Sequence, residues 1–468
     1  MDLSRKSFLK GLFASAGLGA FGDWRVFAAP DGWTPPGAPE LSFGVISDTH
    51  LRTSANGLGR GKYWPDKYLV AALEYFRDQN VDAVVNCGDM AHRGQVLEQV
   101  FHAEAWQKIF PDNRAPDGHA VEKLFVNGNH DVEGAGYGDF VAKAFPDPGE
   151  RAKRVLVSDM AANWERIWGE PYSPVWHKTV KGYHFFGRHH GVDEMELAGL
   201  VKAKEKECGL SSGKKPFFLI SHVRPHGALN RALRPYKKGV AFFGHWHHSA
   251  ANWNNIYFWS SFPAIQVPSC EPRGCRGQGE CAGVAKAKLE GVENLGSARQ
   301  GYLVRVYGDM LVISRREFGL GGSLGSDWIM PFGRYGAEHP FSKAELKKRI
   351  GKPQFRKGAK LEISALDTPA PALKIGIPLA DGAPGVRCYA YDVEVAGDRG
   401  KKLLKSVFAV GGNLPAGREP DGGVTSLSIP FAELPKGGRL SIAVRPITSL
   451  GTSGEAVSAT FRRSAAKG

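Results

Sequence analysis

The sequence predicts an α/β domain followed by an all-β sandwich domain. Between about residues 41 and 320, apolar runs with the character of strands alternate with segments of helical spacing, which is typical of a layered α/β core. From about residue 360 onward, short alternating strands are separated by turns rich in glycine, proline and aspartate, the pattern of a β-sandwich. The chain has 468 residues, of which 42% are apolar and 23% charged, so it is long enough for more than one globular domain.

The first half of the α/β domain contains three predicted strands, Leu41–Ile46, Val81–Asn86 and Lys123–Val126. Two segments of helical spacing, residues 65–79 and 95–109, connect them. Each strand is followed directly by polar residues. Because ligands of open α/β sheets bind at the carboxyl ends of the strands, we expect the functional site at this edge.

The second half of the domain is predicted to contain a hairpin, a helix, three more strands and a closing hairpin. In chain order these are Val175–Val180 with Tyr183–Gly187, residues 193–207, Phe217–Ser221, Val240–Phe243, Ile256–Ser260, and Gly301–Val306 with Leu311–Arg316. The last two strands flank a Tyr-Gly-Asp-Met turn, which is typical of a hairpin. We expect them to close the domain, to which we assign residues 41–320.

The sequence pattern of the C-terminal part differs from that of the α/β domain. We assign residues 321–360 to a connecting segment with one helix at Ser342–Ile350, and residues 361–468 to the β-sandwich. Its clearest predicted strands are Val386–Val395, Lys402–Val410, Thr425–Ile429, Leu440–Val444 and Ala456–Phe461. The segment from Leu440 onward resembles the last hairpin of fibronectin type III domains.

The N-terminus is typical of an export signal. Basic residues precede a small, apolar stretch from Gly11 to Gly22, and Val26-Phe-Ala28 is a small-residue cleavage site. The segment resembles a twin-arginine signal with Lys6 in place of the second arginine. We therefore predict a signal peptide at residues 1–28, a linker at 29–40, and a periplasmic or extracellular protein. No apolar run approaches the ~18 residues of a transmembrane helix, so we predict no transmembrane segment.

Charge and cysteine content narrow the possible partners. The formal net charge of +14 favours anionic partners such as phosphate esters, nucleotides or nucleic acid, although a soluble basic protein without such a partner has the same composition. Among six cysteines, Cys270, Cys275 and Cys281 cluster in a glycine-rich stretch. A disulfide of unknown connectivity is the favoured interpretation there, and a zinc knuckle is the rival.

Five short motifs supply oxygen and nitrogen ligands in order along the chain. They are Asp48-Thr-His50, Gly88-Asp89, Gly128-Asn129-His130-Asp131, His222 and Gly244-His245-Trp-His247. Each motif alone is common in turns or surface loops. Together they offer three carboxylate or amide oxygens and four imidazoles, a ligand set that suits two divalent ions such as Mn, Fe or Zn.

Individual residues of these motifs suggest individual roles. A carboxylate can bridge two cations with one oxygen on each, and we assign this role to Asp89. His130 is a candidate proton donor to a leaving oxygen, and Asp131 a candidate to hold the His130 ring in one tautomer. Arg93 is a candidate contact for substrate phosphate, with an ordinary surface arginine as the alternative.

In this order, the motifs resemble the signature of the calcineurin-like metallophosphoesterases, and the resemblance covers roughly residues 41–316. It implies a fold of four αββα layers. It also implies one metal held by Asp48, His50, Asp89 and His247, and a second held by Asp89, Asn129, His222 and His245. Asn129 and Arg93 are then the candidate substrate contacts, and His130 is the acid or the stabiliser of the transition state.

The resemblance implies hydrolysis of a phosphomonoester or phosphodiester by hydroxide held between the two metals. The position three residues after Asp89 is His92, where purple acid phosphatases have tyrosine, so that branch of the family is disfavoured. The overall arrangement is most similar to class III cyclic-nucleotide phosphodiesterases. Two alternatives stay open: a nuclease of the same family, and a non-catalytic surface-binding protein that uses its β-sandwich. The oligomeric state does not follow from the sequence.

Overall fold

The computed structural model describes residues 34–54, 67–132, 142–212, 215–258, 262–270, 289–290, 299–333, 339–366, 369–382, 388–398, 400–418 and 420–463. The predicted signal peptide and most of the cysteine cluster lie outside these residues. Of the clustered cysteines only Cys270 is described, and it is buried. No helix in the described ranges is both long enough and apolar enough to span a bilayer.

Two mixed sheets form the α/β part of the molecule. The first contains β1 (Leu41–Ile46), β2 (Ala83–Asn86), β3 (Glu122–Phe125), β11 (Gln300–Tyr307), β12 (Met310–Glu317), β13 (Gly322–Ser323) and β14 (Trp328–Pro331). The second contains β4 (Val175–Val180), β5 (Tyr183–Arg188), β6 (Phe217–Ser221), β7 (Gly239–Phe243), β8 (Ile256–Tyr257) and β9 (Ala264–Gln266).

The central strands of both sheets are parallel. In the first sheet β1, β2 and β3 run parallel, and β11 pairs antiparallel with β1. In the second sheet β5, β6, β7 and β9 run parallel, with antiparallel strands at the two edges. All carboxyl ends of the parallel strands in one sheet therefore meet at one edge, as the sequence predicted.

The described part of the chain contains nine helices, of which five pack on the outer faces of the two sheets. In chain order they are α1 (Lys67–Asp78), α2 (Val96–Ile109), α3 (Asn129–Val132), α4 (Pro148–Ala152), α5 (Met160–Trp168), α6 (Glu194–Cys208), α7 (Gly227–Ala232), α8 (Lys343–Ile350) and α9 (Val410–Asn413). Four 3-10 turns are also described, at Pro111–Asn113, Leu156–Asp159, Trp253–Asn255 and Pro420–Gly423.

Three apolar cores define the layers. Phe43 of β1 contacts Phe185, Phe218 and Phe242 of the second sheet, so the two sheets pack face to face. A second core joins the first sheet to helices α1, α2 and α5. A third joins the second sheet to α6 and α7. The order of layers is helix, sheet, sheet, helix, which confirms the predicted αββα sandwich.

The C-terminal region is all β apart from short helical turns. One sheet has the order β10 (Leu289–Glu290), β20 (Lys402–Phe408), β19 (Ala390–Gly397), β22 (Arg439–Ile447) and β23 (Val457–Arg462). The other contains β16 (Glu362–Leu366), β17 (Ala372–Ile377) and β21 (Thr425–Pro430), and β15 (Gln354–Phe355) pairs with β18 (Ala380–Asp381). A shared apolar core with Leu373, Tyr391 and Ile442 lies between these sheets.

The C-terminal region also contacts the loop that follows β7. The backbone N–H of Trp253 donates to Ser449 Oγ at 3.0 Å. The buried Gln300 side chain accepts from the N–H of Ala250 at 2.7 Å and donates to the carbonyl of Asn413 at 3.0 Å. Ser449 and Gln300 therefore accept hydrogen bonds from backbone N–H groups of this loop. These bonds hold the chain in place just after the Gly244-to-His247 motif.

Candidate dinuclear metal site

Five strand ends converge where the carboxyl edges of the two sheets meet. The predicted ligands follow β1, β2, β3, β6 and β7, in that order, and comprise Asp48, His50, Asp89, Asn129, His222, His245 and His247. The two sheets are joined here directly, because the backbone N–H of His245 lies 3.2 and 3.1 Å from the two carboxylate oxygens of Asp48. The structure thus brings all seven predicted ligands into one cluster.

The backbone at these strand ends is unusual. Nine non-glycine residues in the described part of the chain have positive φ, and five of them are predicted ligands: Asp48 (53°), His50 (45°), Asp89 (54°), His245 (76°) and His247 (52°). A left-handed conformation costs an L-residue about 1–2 kcal/mol. Such strain persists only where the surroundings enforce it, and it is concentrated here on side chains that share one site.

Two glycines of the motifs are required by close approach. A Cβ atom on Gly128 would collide with the carboxylate and the backbone nitrogen of Asp89. A Cβ atom on Gly244 would collide with the Ser47 side chain and lie 2.7 Å from Asp48 Oδ2. Both glycines therefore let a neighbouring strand end pass close enough to place a ligand, which is the physical reason for the Gly-Asn and Gly-His pairs.

One group of ligands surrounds Asp48. Its Oδ1 lies 3.1 Å from Nε2 of His247 and 3.8 Å from Nε2 of His50. The two Nε2 atoms are 3.1 Å apart, and all three residues are buried. Burial opposes ionisation of Asp48, but His247 holds the pKa of this carboxyl well below its usual value, so it remains a carboxylate. The group can hold one cation.

A second group surrounds Asn129. Its Oδ1 lies 2.9 Å from Nε2 of His222 and 3.0 Å from Nδ1 of His245, and these two nitrogens are 3.2 Å apart. Burial, and then the neighbouring His222, lower the pKa of His245. A neutral ring has a nitrogen lone pair to offer. Together with Asp89, these residues can hold the second cation.

Asp89 links the two groups through a single oxygen. Its Oδ2 lies 3.6 Å from Nε2 of His50 and 3.3 Å from Nε2 of His222. Its Oδ1 is occupied by the backbone N–H of His130 at 2.8 Å. The expectation that Asp89 bridges two metals with one oxygen on each stays a prediction, and Oδ2 is the oxygen that faces both groups in this structure.

The hydrogen bonds of His222 show that this cluster suits cations. Its Nδ1 lies 2.9 Å from the carbonyl oxygen of Cys87, which only accepts, so Nδ1 carries a proton. In a neutral ring Nε2 then directs a lone pair at two other acceptors, Asn129 Oδ1 and Asp89 Oδ2. Burial opposes protonation, yet Asp89 and then Asp48 raise the pKa of His222 to about 9. A divalent ion would remove this repulsion in place of the proton.

His130 lies beside the first group with its ring oriented by the backbone. Nδ1 of His130 is 2.8 Å from the carbonyl oxygen of His92, and the two rings stack at 5.3 Å. The His130 ring also packs edge-on against His50 at 4.5 Å. His92 Nδ1 in turn lies 3.4 Å from His50 Nδ1. Sequence reasoning missed His92 as a site residue, although its position three residues after Asp89 was noted.

Asp131 does not hold the His130 ring in the way the sequence suggested. Its two carboxylate oxygens accept from the backbone N–H groups of Ala91 at 2.7 Å, Gly128 at 2.8 Å and Met90 at 3.2 Å. Burial, and then repulsion by Asp89, raise the pKa of Asp131 to about 6. Asp131 therefore links the loops that follow β2 and β3. The contact with His130 Nδ1 that was expected from Asp131 is made by the carbonyl oxygen of His92 instead.

Arg93 and the residues at the end of β5 have different surroundings. Arg93 is half-buried, and its backbone N–H donates to Glu98 at 2.8 Å. Arg188 lies 3.7 Å from Glu194, and buried His189 accepts from the backbone of Asn127 at 2.9 Å, so both have structural partners. The ring of His190 lies 5.9 Å from that of His222, at the margin of the site.

Comparison with known proteins agrees with this geometry. Residues 41–249 match the family model described as calcineurin-like phosphoesterase. This part of the chain is therefore a metallophosphoesterase domain, and the chain is a hydrolase of phosphoric ester bonds. A search of curated proteins returned no match.

Several solved structures match this chain at low sequence identity. A dimetal phosphatase of Danio rerio is 12% identical, with 63% of this chain and 99% of that chain covered and a TM-score of 0.35. A purple acid phosphatase from yellow lupin (Lupinus luteus) seeds is 10% identical, with 64% and 55% covered and a TM-score of 0.39. A predicted phosphoesterase of Streptococcus pneumoniae is 11% identical, with 62% and 97% covered and a TM-score of 0.27. The assignment of the domain depends on the family model and on the ligand geometry.

Proposed function

We propose that this protein is an exported phosphoesterase that requires two divalent metal ions and hydrolyses a small, nucleotide-like phosphomonoester or phosphodiester. One observation carries the proposal. A single carboxylate oxygen, Asp89 Oδ2, lies within 3.6 Å of His50 on one side and 3.3 Å of His222 on the other. Two groups of ligands that share one oxygen are arranged for a pair of ions rather than for two separate sites.

The donor set fits Mn, Fe or Zn. It consists of carboxylate, amide and imidazole groups without a thiolate, a combination of hard and borderline ligands that these ions accept. A bound pair supplies Lewis acidity toward the phosphoryl group and a nucleophile at neutral pH. Asp48, His50, Asp89 and His247 would hold one ion, and Asp89, Asn129, His222 and His245 the other.

His130 is proposed to move the proton that the leaving group needs. Because its Nδ1 donates to the His92 carbonyl, Nε2 is the atom that can gain or lose a proton. His92 and His50 pack against this ring and limit its rotation. A general acid held in this way contributes about 10²–10⁴-fold to the rate when the leaving group is poor.

The substrate is proposed to be anionic and small. The net charge of +14 attracts phosphate esters over long range. Arg93 follows Asp89 closely in the chain and is half-buried. Its guanidinium is proposed to bind a phosphate oxygen. Similarity of the motifs to class III cyclic-nucleotide phosphodiesterases supports a nucleotide-like ester in particular.

The proposal extends to the domain organisation and the compartment. We divide the chain into a signal peptide at residues 1–28, a linker at 29–40, the phosphoesterase domain at 41–320, a connecting segment at 321–360 and a fibronectin type III-like domain at 361–468. The connecting segment also adds β13 and β14 to the first sheet. The basic start and small apolar stretch support passage through a membrane by the twin-arginine route. Mass spectrometry of protein recovered from the periplasm should then show Ala29 as the first residue, whereas an intact Met1 would contradict processing.

The function is tested with a panel of phosphomonoesters and phosphodiesters. Chelator-stripped protein should be inactive and should regain activity with Mn, Fe or Zn. Turnover of nucleotide-like esters should be at least tenfold above that of single-stranded or duplex DNA. A preference for DNA that weakens steeply with salt would instead favour a nuclease. Full activity without metal, or no activity on any ester with metal bound, would overturn the proposal.

A further inference from the structure

A second set of ligand-type side chains lies on the face of the second sheet that helix α6 covers. It consists of His177 on β4, His184 on β5 and Cys208 at the end of helix α6. One ligand atom from each residue lies within 4.8 Å of the others. None of these residues belongs to the phosphoesterase site, and the motifs of that site do not include them.

The hairpin register explains why the two imidazoles meet. His177 pairs with Phe186 in the antiparallel β4–β5 hairpin, and His184 precedes Phe186 by two residues. His177 and His184 are therefore diagonal neighbours on one face of the sheet. Phe186, which stacks on His177 at 4.6 Å, belongs to the core between this sheet and helix α6. Cys208 packs against the same core.

The spacing is that of ligands around one small ion. Nε2 of His177 lies 3.1 Å from Nδ1 of His184. Two imidazole nitrogens at ~2.0–2.1 Å from a tetrahedral zinc ion are roughly 3.4 Å apart. A hydrogen bond between two neutral rings gives a similar separation. The nearby sulfur of Cys208 therefore distinguishes a metal site from a simple histidine pair.

The chemistry of the set selects a class of metal. Two imidazoles with a thiolate favour Zn²⁺ or a similar borderline ion over Mg²⁺, Ca²⁺ or Mn²⁺. Cys208 is the last residue of α6, where the backbone carbonyls present the negative end of the helix dipole. The exposed carboxylate of Glu207 also lies near both rings, but it is paired with Lys204 at 2.7 Å, so the two charges offset each other.

The location allows an ion to enter and keeps it apart from the phosphoesterase site. All three side chains are partly exposed. His184 precedes His190 by six residues along β5 and its following turn, and His190 lies beside His222. At ~3.3 Å per residue of extended chain, His184 and His190 are at most about 20 Å apart.

We propose that His177, His184 and Cys208 bind one zinc-class ion that ties the β4–β5 hairpin to the end of helix α6. Three protein ligands leave one position of a tetrahedron for water. The ion is a structural cross-link between an edge of the second sheet and the helix that covers it. This site is independent of the proposed hydrolysis.

Cobalt binding to the full-length protein tests the proposal, because thiolate-bound Co²⁺ has a charge-transfer band that oxygen and nitrogen ligands do not give. Chelator-stripped wild type should show this band and should bind one more Co²⁺ than Cys208→Ser, in which the band is lost. His177→Ala should also lose that ion. His226→Ala, which removes an exposed histidine with a Glu194 contact at 3.1 Å, is the matched control and should keep it.

Three results would overturn the proposal: no charge-transfer band in wild type, a band that persists in Cys208→Ser, or equal cobalt content in the two proteins. Each would show that His177 and His184 are a hydrogen-bonded pair and that Cys208 binds no metal with them. Circular dichroism shows whether each variant is folded. If His177→Ala is unfolded without metal, the comparison between wild type and Cys208→Ser still shows whether the proposed metal site exists.

Discussion

The imidazole of His130 is held by the backbone of His92, whose carbonyl oxygen lies 2.8 Å from His130 Nδ1. A carbonyl can only accept, so Nδ1 keeps its proton and Nε2 is the ring nitrogen that can donate one to a leaving group. The arrangement does for His130 what an aspartate does for many catalytic histidines.

His130→Ala tests this role. The variant should keep its metals, because none of the seven ligands is removed. Turnover of alkyl phosphate esters should fall about 10²–10⁴-fold, whereas nitrophenyl esters, whose leaving group needs no proton, should lose much less. Steady-state kinetics on the two ester classes, with metal content measured on the same samples, makes the comparison. An equal loss on both classes would contradict an acid role.

Gly128→Ala tests the close approach of β3 to Asp89. The added methyl group would collide with the Asp89 carboxylate and its backbone, so Asp89 must move and metal affinity should fall together with activity. Gly199→Ala is the matched control, because nothing lies within 4 Å of the added carbon in helix α6. It should raise stability by about 0.5–1 kcal/mol and leave metal binding unchanged. Normal metal binding by Gly128→Ala would contradict the packing argument.

Glu98 gives a prediction for the pH dependence of stability. It is fully buried and accepts from the backbone N–H groups of Arg93, Thr53 and Gln95. Burial outweighs these three donors and raises the pKa of Glu98 from 4.5 to about 7. The folded protein therefore binds this proton more tightly than the unfolded chain does.

The free energy of unfolding should then fall as pH rises from about 4.5 to about 7. At ~1.4 kcal/mol per unit, the contribution of Glu98 is on the order of 3 kcal/mol. Glu98→Gln should lose this part of the slope in urea denaturation measured across the range. Glu104→Gln, an exposed residue of the same helix, is the control. Identical slopes for wild type and Glu98→Gln would show that Glu98 does not titrate there.

The sequence predicted the fold well where a short apolar strand ends in a polar motif. Asp48, Asp89 and His222 were placed correctly because parallel strands share a carboxyl edge, and this rule needs only the order of residues. β4 and β5 were predicted as a hairpin, which the structure shows. Short strands such as β9 and β14 were missed because their pairing depends on neighbours distant in sequence.

The detailed contacts of the site could not be predicted for the same reason. Which oxygen of Asp89 faces both ligand groups depends on the N–H of His130, which donates to the other oxygen. The Asp131 carboxylate was expected near the adjacent His130 ring, but backbone donors of β2 and β3 loops lie closer. His92 could be identified as a site residue only from the structure, because the turn after Asp89 places its ring beside His50.

The role of Asp89 as the shared ligand is tested most directly by Asp89→Asn. The amide oxygen can still accept from the N–H of His130, so the loop keeps its contact, but an NH₂ group replaces the oxygen between His50 and His222 and cannot bind cations. Metal analysis of dialysed wild type and variant, with hydrolysis of a nucleotide-like ester on the same samples, is the measurement. The variant should bind two fewer ions per chain and lose activity by at least 10²-fold. Equal metal content in the two proteins, with hydrolysis retained, would contradict a dinuclear site built on Asp89.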